Sequence, residues 1–178
     1  MTAPVERPLA GAPDAPPLFL PDEPFPPYRF VPGKAPHPFM HAGGYAYQQL
    51  PPPPPYRATD AWRDNAAFLR GCDFFNRGWW WEAHEVWEGS WHVCKPCDAP
   101  QADLLQSLIQ YAAAALNRER GHDKAAQRLL GLANARLAVL ATATPRLCGL
   151  DLAALMAEAE RHLGRPRERV DGFYLLPG

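Results

Sequence analysis

Residues 101–121 read Gln101-Ala-Asp-Leu-Leu-Gln-Ser-Leu-Ile-Gln-Tyr-Ala-Ala-Ala-Ala-Leu-Asn-Arg-Glu-Arg-Gly121. Leu104, Leu105, Leu108, Ile109, Ala112 and Leu116 recur at the spacing of one helical face. The alanines from Ala112 to Ala115 let a neighbouring helix come close. The stretch predicts a helix over 101–120, closed by Gly121.

The same period extends in both directions. Downstream, Asp123 is the expected cap of a helix facing Ala126, Leu129, Leu130, Ala133, Leu137 and Leu140 inward. Asp151 is the expected cap of the next, which carries Leu152, Leu155, Met156, Ala159 and Leu163 and ends at Gly164. Upstream, a helix over Trp79–Trp91 is set off by the loop Cys94–Pro100. Before it, Thr59 or Asp60 caps a helix with Trp62, Ala66, Leu69, Cys72 and Phe75 on one face, ending at Gly78. Short connections imply antiparallel neighbours, and β-type alternation of useful length is missing. The expected fold is all-α, an antiparallel bundle of about five helices over 59–164, with 165–178 as a C-terminal tail.

Residues 1–58 differ in kind. Of 22 prolines in the chain, 17 precede Tyr56, which bars long helices there. Yet Phe19, Phe25, Tyr28, Phe30, Phe39, Tyr45 and Tyr47 are spread through this stretch, whereas disordered segments are poor in aromatics. It reads as an extended, proline-rich N-terminal arm laid over the helices, with a free polyproline linker or partner ligand as the alternative.

A chain of 178 residues with net charge -1 suits one domain plus a tail, and offers no general attraction for nucleic acid or an anionic membrane. No apolar run approaches the roughly 20 residues a membrane span needs. The first residues lack the apolar segment of a signal peptide, so the cytoplasm is the expected compartment. The four cysteines do not make a disulfide scaffold. Cys72 and Cys148 are expected within apolar helical patterns, as small hydrophobes.

The chemistry concentrates in Asp73–Trp91. Five of the six tryptophans fall between Trp79 and Trp91, more than one short helix needs for packing. At about 100° per residue, Trp80, Trp87 and Trp91 lie roughly 20–60° to one side of His84, with Glu88 and Glu85 about 40° and 100° to the other. Three readings follow. The indoles are core and His84 pairs with Glu88 at i, i+4; or His84 and Glu88 begin a metal site, with Glu85 at its edge; or His84 works as an acid–base group oriented by a carboxylate.

Phe75-Asn76-Arg77-Gly78, then Glu82-Ala83-His84-Glu85, Glu88 and Trp91, resembles the domain-of-unknown-function 309 family of bacterial and archaeal proteins. Leu108-Ile109-Gln110 with its alanines, and Gly121-His122-Asp123-Lys124-Ala125-Ala126, extend the resemblance over about residues 60 to 141. The Pro36-His37-Pro38 element also resembles a feature of longer members. The resemblance implies a compact α-helical fold and a metal-binding role for the His-x-x-x-Glu motif, without a reaction. Asn117 stands where many members place histidine or lysine, and His122 where asparagine is usual. Asparagine is a poor transition-metal ligand.

His84 and Glu88 alone are too few for a first shell. His37 and His41 in the arm are candidates for the remainder. Gln110 and Asn117, with Gln106 beside them, line the third helix as a polar strip expected to face the second. In the blander reading Gln110 bridges backbone groups. Cys94-Lys95-Pro96-Cys97, with His92 before it, is a secondary metal or redox candidate, incomplete on its own. Arg118, Glu119, Arg120, Arg128 and Arg136 are expected on solvated faces. Arg161, Arg165, Arg167 and Arg169 are interspersed with acids, a weak sign of phosphate binding.

The expected site thus joins metal ligands His84, Glu85, Glu88 and His37 to a pocket of Trp80, Trp87, Trp91, Asn76, Gln110 and Asn117. It would hold a divalent metal, zinc or similar, or a small polar ligand. Metal-assisted hydrolysis is the reaction class to test first. The rival is a non-catalytic structural or partner-binding module whose His and Glu residues only fasten the bundle.

Overall fold

Helix α1 (Ala66–Asn76) begins later than Thr59 or Asp60 would start it. Residues Thr59–Asp64 form a separate 3-10 helix with no side-chain cap. Asn65 leaves helical geometry and turns its Oδ1 to the Phe68 N–H at 3.1 Å, so the cap belongs to Asn65. The computed structural model describes residues 16–164 and 173–178; Arg165, Arg167 and Arg169 lie outside the described residues.

Four further helices follow: α2 (Trp80–Cys94), α3 (Ala99–Glu119), α4 (Asp123–Ala143) and α5 (Leu152–Leu163). Helix α2 runs one turn beyond Trp91. Asp98 caps α3 through its Oδ1 and the Gln101 N–H, with Pro100 in the first turn. Asp123 does not cap α4. His122 holds that position without a side-chain capping bond, and Asp123 sits in the first turn, where its charge complements the helix dipole. Asp151 caps α5 as expected, accepting from the Ala154 N–H at 2.9 Å.

Between α4 and α5 is a two-stranded antiparallel hairpin, β1 (Arg146–Leu147) and β2 (Leu150–Asp151). Cys148 and Gly149 both take positive φ there, 47° and 75°, as a primed hairpin turn requires. These strands are too short to show alternation in the sequence. The fold is all-α, with the helices packed as a bundle.

Helix α3 is the central element, packing on α2 and α4. Ala112, Ala114 and Ala115 are fully buried along it, as are Leu104 and Leu108. Not every charge on this helix is solvated. Arg118 is buried and donates to the Leu163 carbonyl at the end of α5. Glu119 takes both arms of the Arg29 guanidinium, at 2.7 and 2.8 Å. Arg136 of α4 is held by Gln110 and Asp103. Only Arg120 and Arg128 of that group are exposed.

The arm lies over α1 and α2, fastened mainly through its backbone. The Asp73 carboxylate accepts from the Phe19 and Leu20 N–H groups at 2.8 and 2.9 Å. Arg70 donates to the Glu23 and Pro24 carbonyls, and Arg77 to that of Pro16. Glu82 accepts from the Phe30 N–H at 2.7 Å. Between these ties Phe25 packs edge-on against Phe74 and Trp79, both at 5.1 Å. At the other end, residues 173–178 are not a loose tail. Phe173 is buried against Phe75 and Tyr111, and Asn76 makes two hydrogen bonds to Leu175.

Candidate functional site

Helix α2 brings His84, Glu85 and Glu88 together. One donor atom from each lies within 4.8 Å of the others, and all three residues are half-buried. The spacing explains the grouping: His84 and Glu88 are one turn apart, and Glu85 is three residues from Glu88. His84 Nδ1 is shielded from water and makes no hydrogen bond. Its nearest acidic oxygen is Glu85 Oε1, at 3.4 Å.

The surroundings are acidic and partly dry. Glu82, one turn before Val86 on the same helix, is 3% exposed. Burial pushes its carboxyl up to about 7, against the opposing pull of the Phe30 N–H. Its second oxygen, Oε2, is buried without a partner. Burial also pushes the Tyr45 phenol up, and the charges of Glu82 and Glu85 push it further. Tyr45 therefore stays protonated beside these carboxylates at neutral pH.

Other residues expected at the site are elsewhere. His37 does not join the three. Its ring packs on Phe30 and Trp81, at 4.9 and 5.3 Å, and its Nδ1 accepts from the Phe39 and Met40 N–H groups. That places the proton of the neutral ring on Nε2, leaving neither nitrogen with a free lone pair for a metal. His41 is held likewise by the Gly43 N–H. Both rings line a shallow cleft of the arm together with Lys34, Pro36 and Met40.

The expected indole wall is mostly core. Trp87 is fully buried, and its Nε1–H donates to the Phe68 carbonyl at 3.2 Å. Trp80 is buried with the Arg29 guanidinium 5.6 Å from its ring centroid. Trp91 is half-buried under the Lys95 ammonium. Asn76 is spent on Leu175. Gln110 turns to Arg136 of α4 rather than to α2. Asn117 donates back to the Ala113 carbonyl, with His122 beside it. Helical projection identifies a face but not the neighbour it meets, which is why these polar residues were misplaced.

Cys94 and Cys97 also part company. Cys94 is buried and donates to Gln101 Oε1, while Cys97 is exposed. Burial pushes the Cys94 thiol up to about 11, the opposite of what a redox nucleophile needs. Neither falls in a cluster of three metal-ligating groups among the described residues. Sequence reasoning missed the roles of Asp73 and Glu82, whose partners lie in the arm, and of Arg29, an arm residue whose partners are Gly78 and Glu119; for the two acids, a buried acid within an apolar helix face was the available signal.

Residues 68–129 match the model of a family described as Domain of unknown function (DUF309). That stretch is similar to the DUF309 family. The match runs from α1 into the first turns of α4 and so contains His84, Glu85 and Glu88, together with Asp73 and Glu82. The arm, the hairpin and α5 lie outside it. No curated protein and no solved structure matches the chain. No helix among the described residues is long and apolar enough to cross a membrane.

Proposed function

We propose that this protein binds a divalent metal ion through His84, Glu85 and Glu88. The observation that carries the reading is the convergence of one imidazole nitrogen and two carboxylate oxygens within 4.8 Å on one half-buried helix face. One nitrogen and two oxygens suit zinc or a similar borderline ion. Three donors from a single helix leave further coordination positions open to water or to a small polar ligand. A metal-bound water beside a second carboxylate is the arrangement that metal-assisted hydrolysis uses, and this is the reaction class to assay first.

The test is calorimetric titration of chelator-treated protein with zinc, manganese and cobalt, repeated on His84→Ala and Glu88→Gln. Binding by the native chain that is lost in both variants, with the melting temperature of the metal-free proteins unchanged, supports the reading. Absence of binding to the native chain overturns it. The rival reading is a non-catalytic module, and it too has a specific support: Asp73, Asn76 and Glu82 are all spent on fastening the arm and the C-terminal segment. If His84 belongs to that fastening, His84→Ala will lower stability rather than metal affinity.

A further inference from the structure

The segment Leu50-Pro51-Pro52-Pro53-Pro54-Pro55-Tyr56-Arg57 crosses the surface with no backbone pairing of its own. Its conformation is dictated covalently. Each proline ring fixes φ near -65°, and each residue preceding a proline is barred from the helical region. No peptide bond among the described residues is cis. Leu50 through Pro54 are therefore held in a left-handed polyproline helix with about three residues per turn. Ala58 continues that geometry at φ -62° and ψ 157°.

Three residues per turn divide the segment into three edges. Pro54 faces the body: a Cβ at Gly89 of α2 would lie 3.5 Å from its Cδ. Leu50, Pro53 and Tyr56 share a second edge, and Pro52 and Pro55 a third. These residues are exposed, Leu50 by 75% and Tyr56 by 43%. The Tyr56 hydroxyl donates to Asp98 Oδ2 at 2.9 Å, which tethers the end of the strand. A strap across α2 needs only the inward edge. Leu50, Pro52, Pro53 and Pro55, exposed on a strand whose end is tethered, are what a protein partner reads when it binds polyproline.

We propose that Leu50–Arg57 is a docking strand for a protein domain with an aromatic-lined groove of the SH3 or WW type. Such grooves seat proline ridges between aromatic rings and donate hydrogen bonds to the proline carbonyls. The carbonyls of Pro51–Pro55 accept no backbone hydrogen bond from another part of the described residues and so remain free to accept from a partner. Arg57, exposed and donating to the Tyr56 carbonyl at 3.1 Å, adds a positive charge at the end of the strand. Because the conformation is preformed, little chain entropy is lost on binding.

The experiment uses the full chain and, as probes, purified SH3, WW and EVH1 domains immobilised on a sensor surface. Saturable binding to at least one class is expected. The variant Pro52→Ala with Pro55→Ala alters only an outward edge, and should weaken that binding by about tenfold or more with an unchanged circular dichroism spectrum and melting temperature. A Gly89→Ser variant, on the inward side, should bind as the native chain does. Absence of binding to all three classes, or equal binding by the double variant, overturns the proposal.

Discussion

The indole of Trp87 lies across Gly71, and its Nε1–H reaches past that glycine to the Phe68 carbonyl. A Cβ at position 71 would overlap the ring. Helices α1 and α2 can therefore pack at this distance only with glycine at the crossing. Gly71→Ala is expected to cost about 1–3 kcal/mol, as overpacking of a filled core does. Urea unfolding checks this; an unchanged midpoint would show that the ring moves aside freely.

Asn76 treats Leu175 as a neighbouring strand would, donating to its carbonyl at 3.0 Å and accepting from its N–H at 2.8 Å. Asn76→Ala leaves two buried backbone groups unpaired, at about 1–3 kcal/mol each. Amide exchange at Leu175 should accelerate strongly, with smaller changes in α3. Equal protection in both proteins would mean that Phe173 alone seats the segment.

Glu82 makes stability depend on pH in a defined direction. Its carboxyl titrates at about 7 in the folded chain against an ordinary 4.5. The folded state thus holds its proton to higher pH than the unfolded state. The stabilisation is complete below 4.5 and is lost as pH rises through about 7, on the order of 3 kcal/mol in all. Glu82→Gln keeps the acceptor for the Phe30 N–H and should flatten this part of the profile. Denaturant unfolding of chelator-treated protein between pH 5 and pH 8 is the measurement. Identical slopes for the two proteins would contradict the assignment.

The thiols should separate by burial. Cys97 is exposed, while Cys72, Cys94 and Cys148 are buried, and burial pushes the latter two up to about 11 and about 12. At pH 8 a thiol-specific disulfide reagent is expected to titrate one group in the native chain and four after denaturation. Added zinc should not protect Cys97. Protection would restore a metal role for the Cys94–Cys97 loop.

The helices were legible because alanine and leucine recur at 3.6-residue spacing from Leu104 to Leu163, and a period is a local property. The grouping of His84, Glu85 and Glu88 was legible for the same reason, since all three lie on one helix. Asn65 was overlooked as a cap because Thr59 and Asp60 offer the same chemistry a few residues earlier, and only the break at Asn65 decides between them. Gln110, Asn117 and His37 were misassigned because their partners lie on other elements or on their own backbone. The ties of Asp73 and Glu82 to Phe19, Leu20 and Phe30 span more than fifty residues. They involve peptide groups, which every residue possesses, so no side-chain pattern in the arm announces them.

That last fact sets an asymmetry in how the chain tolerates change. Asp73, Glu82 and Arg77 grip only N–H and C=O groups of the arm; Arg70 does so too, and also pairs with the Glu23 carboxylate at 3.6 Å and lies over the Phe25 ring. At Phe19, Leu20 and Pro24 a wide range of replacements preserves the backbone hydrogen bonds, provided the path stays extended and a needed N–H is not removed by proline. On the gripping side the choice is narrow, because each tie depends on one side chain of the right length and polarity, for which only a close isostere, such as glutamine at position 82, can stand in. A saturation library should therefore be permissive along one partner of this contact and restrictive along the other.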